Sequence, residues 1–426
     1  MTSLSTIALG KNRLNIRILT IASSIFVALT AVVYVWKISW IPPIPRDASK
    51  LVVGRDFLNF WMYGRAAWLP NPGQFYDPRT YNTVLSALLG ADYPGLNWSY
   101  PPSVMLIAAP FGRLTYFEAL LCWTVLSLGT FAIVTRQFVA DRGLLIPILF
   151  SPAAIFCLMS GQSSFLTAAM LLTTLSSLDR RPVLAGILIG LLTLKPQLGL
   201  LFPIMLVVSG RWRVFLVASV TAALIVAVTA IVFGPQTWID FASKGIPVQN
   251  NLILADPERV ATPFYPTIFM NVRGIGASYA VAMSVQIFFS ILAIGATIFA
   301  YRFRKNADPQ VLTALFLCCS VFGIPYLLSY DTLPMTCIAV ILLSTGKLDA
   351  HGQIAAKLVY WLPLIQIGLG QFHIPGPALI PVVFAAFLLV HLGPKFSQSQ
   401  KRLADPQRLS AMGTCAAPGS ADGSLS

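Results

Sequence analysis

Stretches of about 20 mostly apolar residues recur along this chain from Ile16 to His391, and that recurrence leaves few folds open. Each is long enough to cross a hydrocarbon core about 30 Å thick as a helix, which satisfies its own backbone hydrogen bonds in lipid. Composition agrees: 56% of the 426 residues are hydrophobic and 10% are charged, where soluble domains carry about 25% charged residues. Mean hydropathy is +0.75. A soluble α/β fold is excluded, and the expectation is an all-α polytopic membrane protein.

The first apolar run, roughly 18–41, follows the basic stretch "KNRLNIR" and superficially looks like a secretion signal. Its apolar part is too long for one and no small-residue cleavage site follows, so it reads as a retained anchor. The six cysteines, Cys122, Cys157, Cys318, Cys319, Cys337 and Cys415, lie mostly inside apolar runs without CxxC spacing. They suggest packing residues, not a disulfide framework or a zinc site. The net charge of +14 is divided among short clusters between apolar runs. That pattern argues against a nucleic-acid-binding face and for a topology signal.

Basic clusters stand at Lys11/Arg13/Arg17, Arg136/Arg142, Arg180/Arg181, Arg211/Arg213, Arg302/Arg304/Lys305, Lys347/Lys357 and Lys395/Lys401/Arg402. Short basic loops stay in the cytoplasm, so every second loop is expected outside. The external set is then the stretch from Pro42 to about Tyr116, the "SGQSS" turn, 234–277, the "LLSYD" turn and "QFHIPGP". One segment interrupts the alternation. Between Arg181 and Arg211 the run "VLAGILIGLLTLKPQLGLLFPIMLVV" is too long for one span, too short for two, basic at both ends and cut by Lys195-Pro196. A hairpin of two short helices broken at the proline satisfies all four facts. It lifts Lys195 and Gln197 deep into the membrane, where a charge costs at least about 2.5 kcal/mol and has to face a wet cavity or an anion. The expected total is about twelve membrane helices including this hairpin, with both termini cytoplasmic. Residues 1–394 form one membrane domain, and the small, polar 395–426 form a disordered cytoplasmic tail.

The external set holds a disproportionate share of the acids: Asp47, Asp56, Asp77, Asp92, Glu118, Asp240, Asp256, Glu258 and Asp331. At about 100° per residue, a helix starting at Asp56 in "GRDFLNFWMYG" carries Asp56, Asn59, Phe60 and Tyr63 on one stripe. Phe57, Trp61, Gly64 and Trp68 form the adjacent one. This pattern fits a helix in the headgroup layer, anchored by tryptophan, with its carboxylate facing a cavity. Further on, Asn97, Trp98 and Tyr100 in "LNWSYPP" offer hydrogen bonds and aromatic faces suited to a carbohydrate or headgroup. "SGQSS" places Gln162, and "LLSYD" places Tyr330 and Asp331, at further external helix edges. Asp331 is equally suited to capping the helix that follows. The chain lacks GxxxxGK[ST], HExxH, paired CxxC and GxSxG, and its three histidines are dispersed. No metal or other cofactor is expected.

In order, "GRDFLNFWMYGRAA", "FYDPRTYN", "NWSYPP", "SGQSSFLTAAML", "RRPVLAGILIGLLTLKPQLGLLFP", "YPTIFMNVRGIG" and "SYD" resemble glycosyltransferase family 87, the polyprenyl-phosphate-mannose-dependent transferases of the C-type superfamily. The likeness runs from about 18 to 391 and is to bacterial members. It implies a helical bundle in the plasma (inner) membrane, with a cavity open to the periplasmic or extracellular side and to the outer leaflet. The donor it implies is a polyprenyl-phosphate hexose, by the family's habit mannose. The base it implies is the acid just after the first span, Asp56, and the acceptor, a lipid or glycan, varies within the family. Phosphate is a good leaving group, so one carboxylate suffices for a single inverting displacement. Lys195, Arg55 and Arg65 are the cations available to neutralise the departing phosphate, Lys195 foremost. Asn59, Tyr63, Tyr100, Gln162, Gln197 and Asp331 are assigned to the sugar or acceptor. The competing reading is a secondary transporter, which also suits about twelve helices with both ends inside. Against it stand the long first external loop and unequal halves without a repeat.

Overall fold

The computed structural model describes residues 2–139, 141–254, 262–304 and 307–392, with 2–12, 252–253 and 262 as backbone alone. The tail from 395 to 426, expected to be disordered, lies outside the described residues, as do Asp256, Glu258 and Lys305. Among the described residues every named element is helical, and the extended pairing is limited to the bridges Ser39–Arg46 and Arg46–Val52.

Helix α1 (Thr2–Trp36) leads into a long stretch that holds α2 (Phe57–Ala66), α3 (Pro78–Leu89) and α4 (Ser103–Ala108). Then come α5 (Tyr116–Phe138), α6 (Leu145–Leu149), α7 (Pro152–Ser160), α8 (Ser164–Ser177), α9 (Pro182–Leu191), α10 (Phe202–Val208) and α11 (Trp212–Phe233). A second stretch carries α12 (Pro235–Asp240), α13 (Ile246–Leu254) and α14 (Ile268–Gly274). The chain closes with α15 (Tyr279–Phe303), α16 (Pro309–Phe322), α17 (Leu333–Thr345), α18 (Ala350–Gly370) and α19 (Ile380–His391). Local chemistry sets the starts: Thr115 and Glu118 form a capping box on α5, and Ser151 and Asp308 cap helices whose next residue is proline.

Among the described residues four helices are long and apolar enough to cross a membrane: Arg13–Trp36, α5, α11 and α15. The pair α6–α7, bent by 57°, makes a fifth if it counts as one span, and the other apolar helices run 10–17 residues. Counting apolar windows thus gives a larger number of full spans than helix length and hydropathy support. The difference arises where irregular turns at 161–163, Lys195 and 325–332 take residues out of the apolar runs. The helix ends nevertheless sort into two sets. Asn15 bonds Gln353 and Lys357, each at 2.9 Å, Arg211 pairs with Asp179 at 2.9 Å, and Lys347 pairs with Asp308. All of these lie beside the basic clusters. The opposite ends converge on Asp56, Gln162, Lys195, Tyr330 and Asp331.

The expected hairpin is present. Helices α9 and α11 run parallel in close contact, because a side chain at Gly186 would meet Val217 and one at Gly190 would meet Thr221. Two glycines four apart let helix backbones approach closely. Since α9 and α11 point the same way, the chain between them has to double back, and the Arg211–Asp179 pair closes the two feet. Its tip is two short 3-10 turns, 192–194 and 196–199, on either side of Lys195.

The first long stretch departs from its sequence reading. It packs as a small aromatic core, with Trp98 stacked on Tyr63 at 3.5 Å between ring centres and edge-on to Tyr76 and Tyr81. Helix α2 packs into this core through Phe57, Leu58, Trp61, Met62 and Tyr63, all buried, while Arg65 and Trp68 are exposed. Aromatic neighbours from 75 to 123 pack against its buried face.

Candidate active site

Asp56 sits at the N-terminal end of α2, half-buried, at the polar end of a narrow cavity. Tyr100, Gln162 and Ser163 are linked to the aspartate by hydrogen bonds, Thr167 adds a further polar group to the lining, and Phe60, Val104, Ile107, Trp123, Leu166 and Leu194 make the rest apolar. Gln162 Nε2 donates to Asp56 Oδ2 at 2.9 Å, and the Tyr330 hydroxyl donates to the same oxygen at 3.0 Å. Among the described residues no group bonds Oδ1. One carboxylate oxygen is therefore held and the other is left for an incoming group.

Gln162 is oriented in turn. Its Oε1 accepts from the Tyr100 hydroxyl at 3.1 Å and from the Ser163 N–H at 3.3 Å, which leaves Nε2 to face Asp56. Burial pushes the Tyr100 phenol up to about 12, so it remains a protonated donor at neutral pH. The turn before Gln162 depends on Gly161, whose φ of +59° ends α7 in the left-handed region. A side chain there would also run into Phe57 beside the aspartate.

Behind the cavity wall lies a buried ion pair. Lys195 Nζ is 2.8 Å from Asp331 Oδ1, both side chains are almost fully buried, and the Ser164 hydroxyl donates to the same oxygen. Lys195 Nζ also lies 3.4 Å from Ser164 Oγ and 5.1 Å from the centre of the Tyr330 ring. Tyr330 thus stands between the two clusters, its hydroxyl on Asp56 and its ring against the ammonium. The Pro196 break presents Lys195 from the hairpin tip, and a 3-10 turn over Ser329–Thr332 presents Tyr330 and Asp331.

The structure brings together Asp56, Tyr100 and Gln162 on one cavity and sets Lys195 and Asp331 beside it. The remaining residues singled out from the sequence stand elsewhere. Asn59 donates to the Asn97 carbonyl at 3.0 Å and accepts from the Tyr81 hydroxyl. Tyr63 binds the backbone of Tyr100 through both its N–H and its carbonyl. These two residues fix the cavity wall from behind. Arg55 pairs with the buried Asp47, and exposed Arg65 lies over the Trp61 ring. Gln197 is half-buried on the hairpin tip and makes no hydrogen bond with the cluster. Sequence reasoning gave no role to Tyr330 or Ser164. The signal was there in two short polar runs, "SGQSS" and "SYD", set among apolar residues.

Residues 98–329 match the family model of glycosyltransferase family 87, over half of the chain. The chain belongs to glycosyltransferase family 87. It is a multi-pass membrane glycosyltransferase, which sets aside the transporter reading. No curated protein and no solved structure matches it. The matched stretch takes in Tyr100, Gln162, Ser164 and Lys195 and stops just before Tyr330 and Asp331, while Asp56 precedes it. Hydrogen bonds, not the family match, join Asp56 to the rest of the site of this family 87 protein.

Proposed function

We propose that this chain transfers a hexose, mannose in the simplest case, from a polyprenyl-phosphate donor to a hydroxyl of a lipid or glycan acceptor. Asp56 acts as the base of one inverting displacement. What supports this reading above all is the Asp56 carboxylate itself, which lines the cavity with its Oδ2 held by Gln162 and Tyr330. An acceptor hydroxyl at Oδ1 gives up its proton as its oxygen bonds to the anomeric carbon. The carbon–oxygen bond to phosphate breaks, and its electron pair leaves with the prenyl phosphate. Two donors on one oxygen keep the carboxylate aimed, and alignment of the reacting groups supplies a large part of such a rate enhancement.

The second nearby carboxylate, Asp331, is committed to Lys195 and Ser164. That suits a single displacement better than a double one, which ordinarily needs a free nucleophilic carboxylate as well. The apolar wall from Val104 to Leu194 suits the first isoprene units. Lys195, next to cavity-lining Leu194, is assigned to the departing phosphate on the condition that it exchanges its Asp331 partner for it during the reaction. By the positive-inside rule the cavity opens on the periplasmic or extracellular face of the inner membrane. Purified protein given a panel of radiolabelled polyprenyl-phosphate sugars and total membrane lipid is expected to pass label from one of them to a new product. Absence of transfer from every donor in the panel would overturn the reading.

A further inference from the structure

Arg55 adopts a backbone conformation that non-glycine residues rarely take. Its φ is +41°, directly after Gly54 at +88° and directly before Asp56. The two residues form a tight turn, in which the Phe57 N–H donates to the Gly54 carbonyl and the Arg55 N–H to the Val52 carbonyl, both at 2.8 Å. Such strained residues persist only where their surroundings over-determine them, and they gather at functional sites.

The surroundings can be named. Arg55 Nε donates to Asp47 Oδ2, and only 1% of the Asp47 side chain is exposed. The other Asp47 oxygen accepts from the Ser49 N–H at 2.8 Å and from the Ser49 hydroxyl. The Asp47 N–H donates to the Leu51 carbonyl at 2.8 Å, so the carboxylate is anchored to a closed loop. From the other side the Tyr116 hydroxyl donates to the Val53 carbonyl at 2.7 Å, and Gly161 packs on Gly54 and Phe57. The turn is gripped on both faces, and the residue it delivers is Asp56.

We propose that Asp47 and Arg55 are positioning residues: their ion pair holds the 54–57 turn in its strained form and so aims the Asp56 carboxylate at the cavity it lines. In this role Arg55 answers the charge of Asp47, not that of a departing phosphate. The proposal rests on Asp56 being the base. If the pair merely supported the fold, its loss would lower stability and donor affinity along with turnover. If it aims the base, the loss falls on kcat, since a misplacement of about 1 Å can cost about 100-fold.

The test measures kcat, donor KM and thermal midpoint for Asp47→Asn and for the double variant Asp47→Asn/Arg55→Gly, with whichever panel donor the wild type turns over. Glycine takes the left-handed turn without strain. Glycine also leaves the turn free to adopt other conformations, so the double variant keeps the fold without holding Asp56 in aim. Both are expected to lose about 10- to 100-fold in kcat, with donor KM within about twofold and the midpoint of the double variant near that of the wild type. Wild-type kcat in either variant, or a loss matched by a rise in KM or a fall in midpoint, overturns the proposal. Asp56→Asn is measured alongside: full turnover there removes the base and this role with it, whereas an inactive Asp56→Asn beside a fully active Asp47→Asn removes the positioning role alone.

Discussion

Burying Lys195 and Asp331 together settles the charge of the cavity's inner wall, and it does so with the protein's own anion. The sequence reading placed Lys195 deep in the membrane because Pro196 breaks the helix there, and it required a counter-charge or a wet cavity. The need for a counter-charge was legible. The identity of the partner was not, because Asp331 lies 136 positions away and no local pattern links the two. The same holds for Tyr330, 274 positions from the aspartate it bonds. A buried pair of this kind is costly to break from one side. Lys195→Met, which strands the Asp331 carboxylate, is expected to lose about 3–5 kcal/mol of stability, whereas Lys195→Met/Asp331→Leu removes both charges and is expected to recover most of it. Thermal unfolding in detergent ranks the variants. A single variant as stable as the double would mean that Asp331 is not held by Lys195.

Helices and loops differ in how much of them the sequence reveals. The hairpin of α9 and α10 was readable from basic residues at both feet and a proline at the tip, two signals with independent physical causes. Helix lengths were not, since a hydropathy window runs straight across a glycine or polar turn such as 161–163 that ends a helix. The packing of helix α2 was not legible for another reason: aromatic side chains suit a headgroup layer and a packed core equally well. The choice falls to Trp98, nearly 40 residues on, which stacks on Tyr63 and draws α2 inward. This stretch still carries the orientation of the molecule. In a cysteine-free background a cysteine at exposed Asn71 is expected to react with an impermeant thiol reagent on intact cells. Labelling only after lysis would invert the topology and move the cavity to the cytoplasmic side.

Across the whole molecule the two sets of helix ends do different work. One set is tied by peripheral ion pairs beside the basic clusters. The other collects the buried polar residues that an apolar bundle would not carry without use for them. Four segments far apart in sequence meet there: the 54–57 turn, the start of α8, the hairpin tip and the Ser329–Thr332 turn. Family membership makes the chain a membrane glycosyltransferase, and of the carboxylates in this cluster Asp56 is the one that lines the cavity. The measurement that bears most directly on this is turnover and donor binding by Asp56→Asn with a polyprenyl-phosphate sugar that the wild type uses. The account predicts that transfer falls by at least about 100-fold, the low end for a lost general base, while donor affinity stays within about twofold. Transfer at the wild-type rate would contradict it.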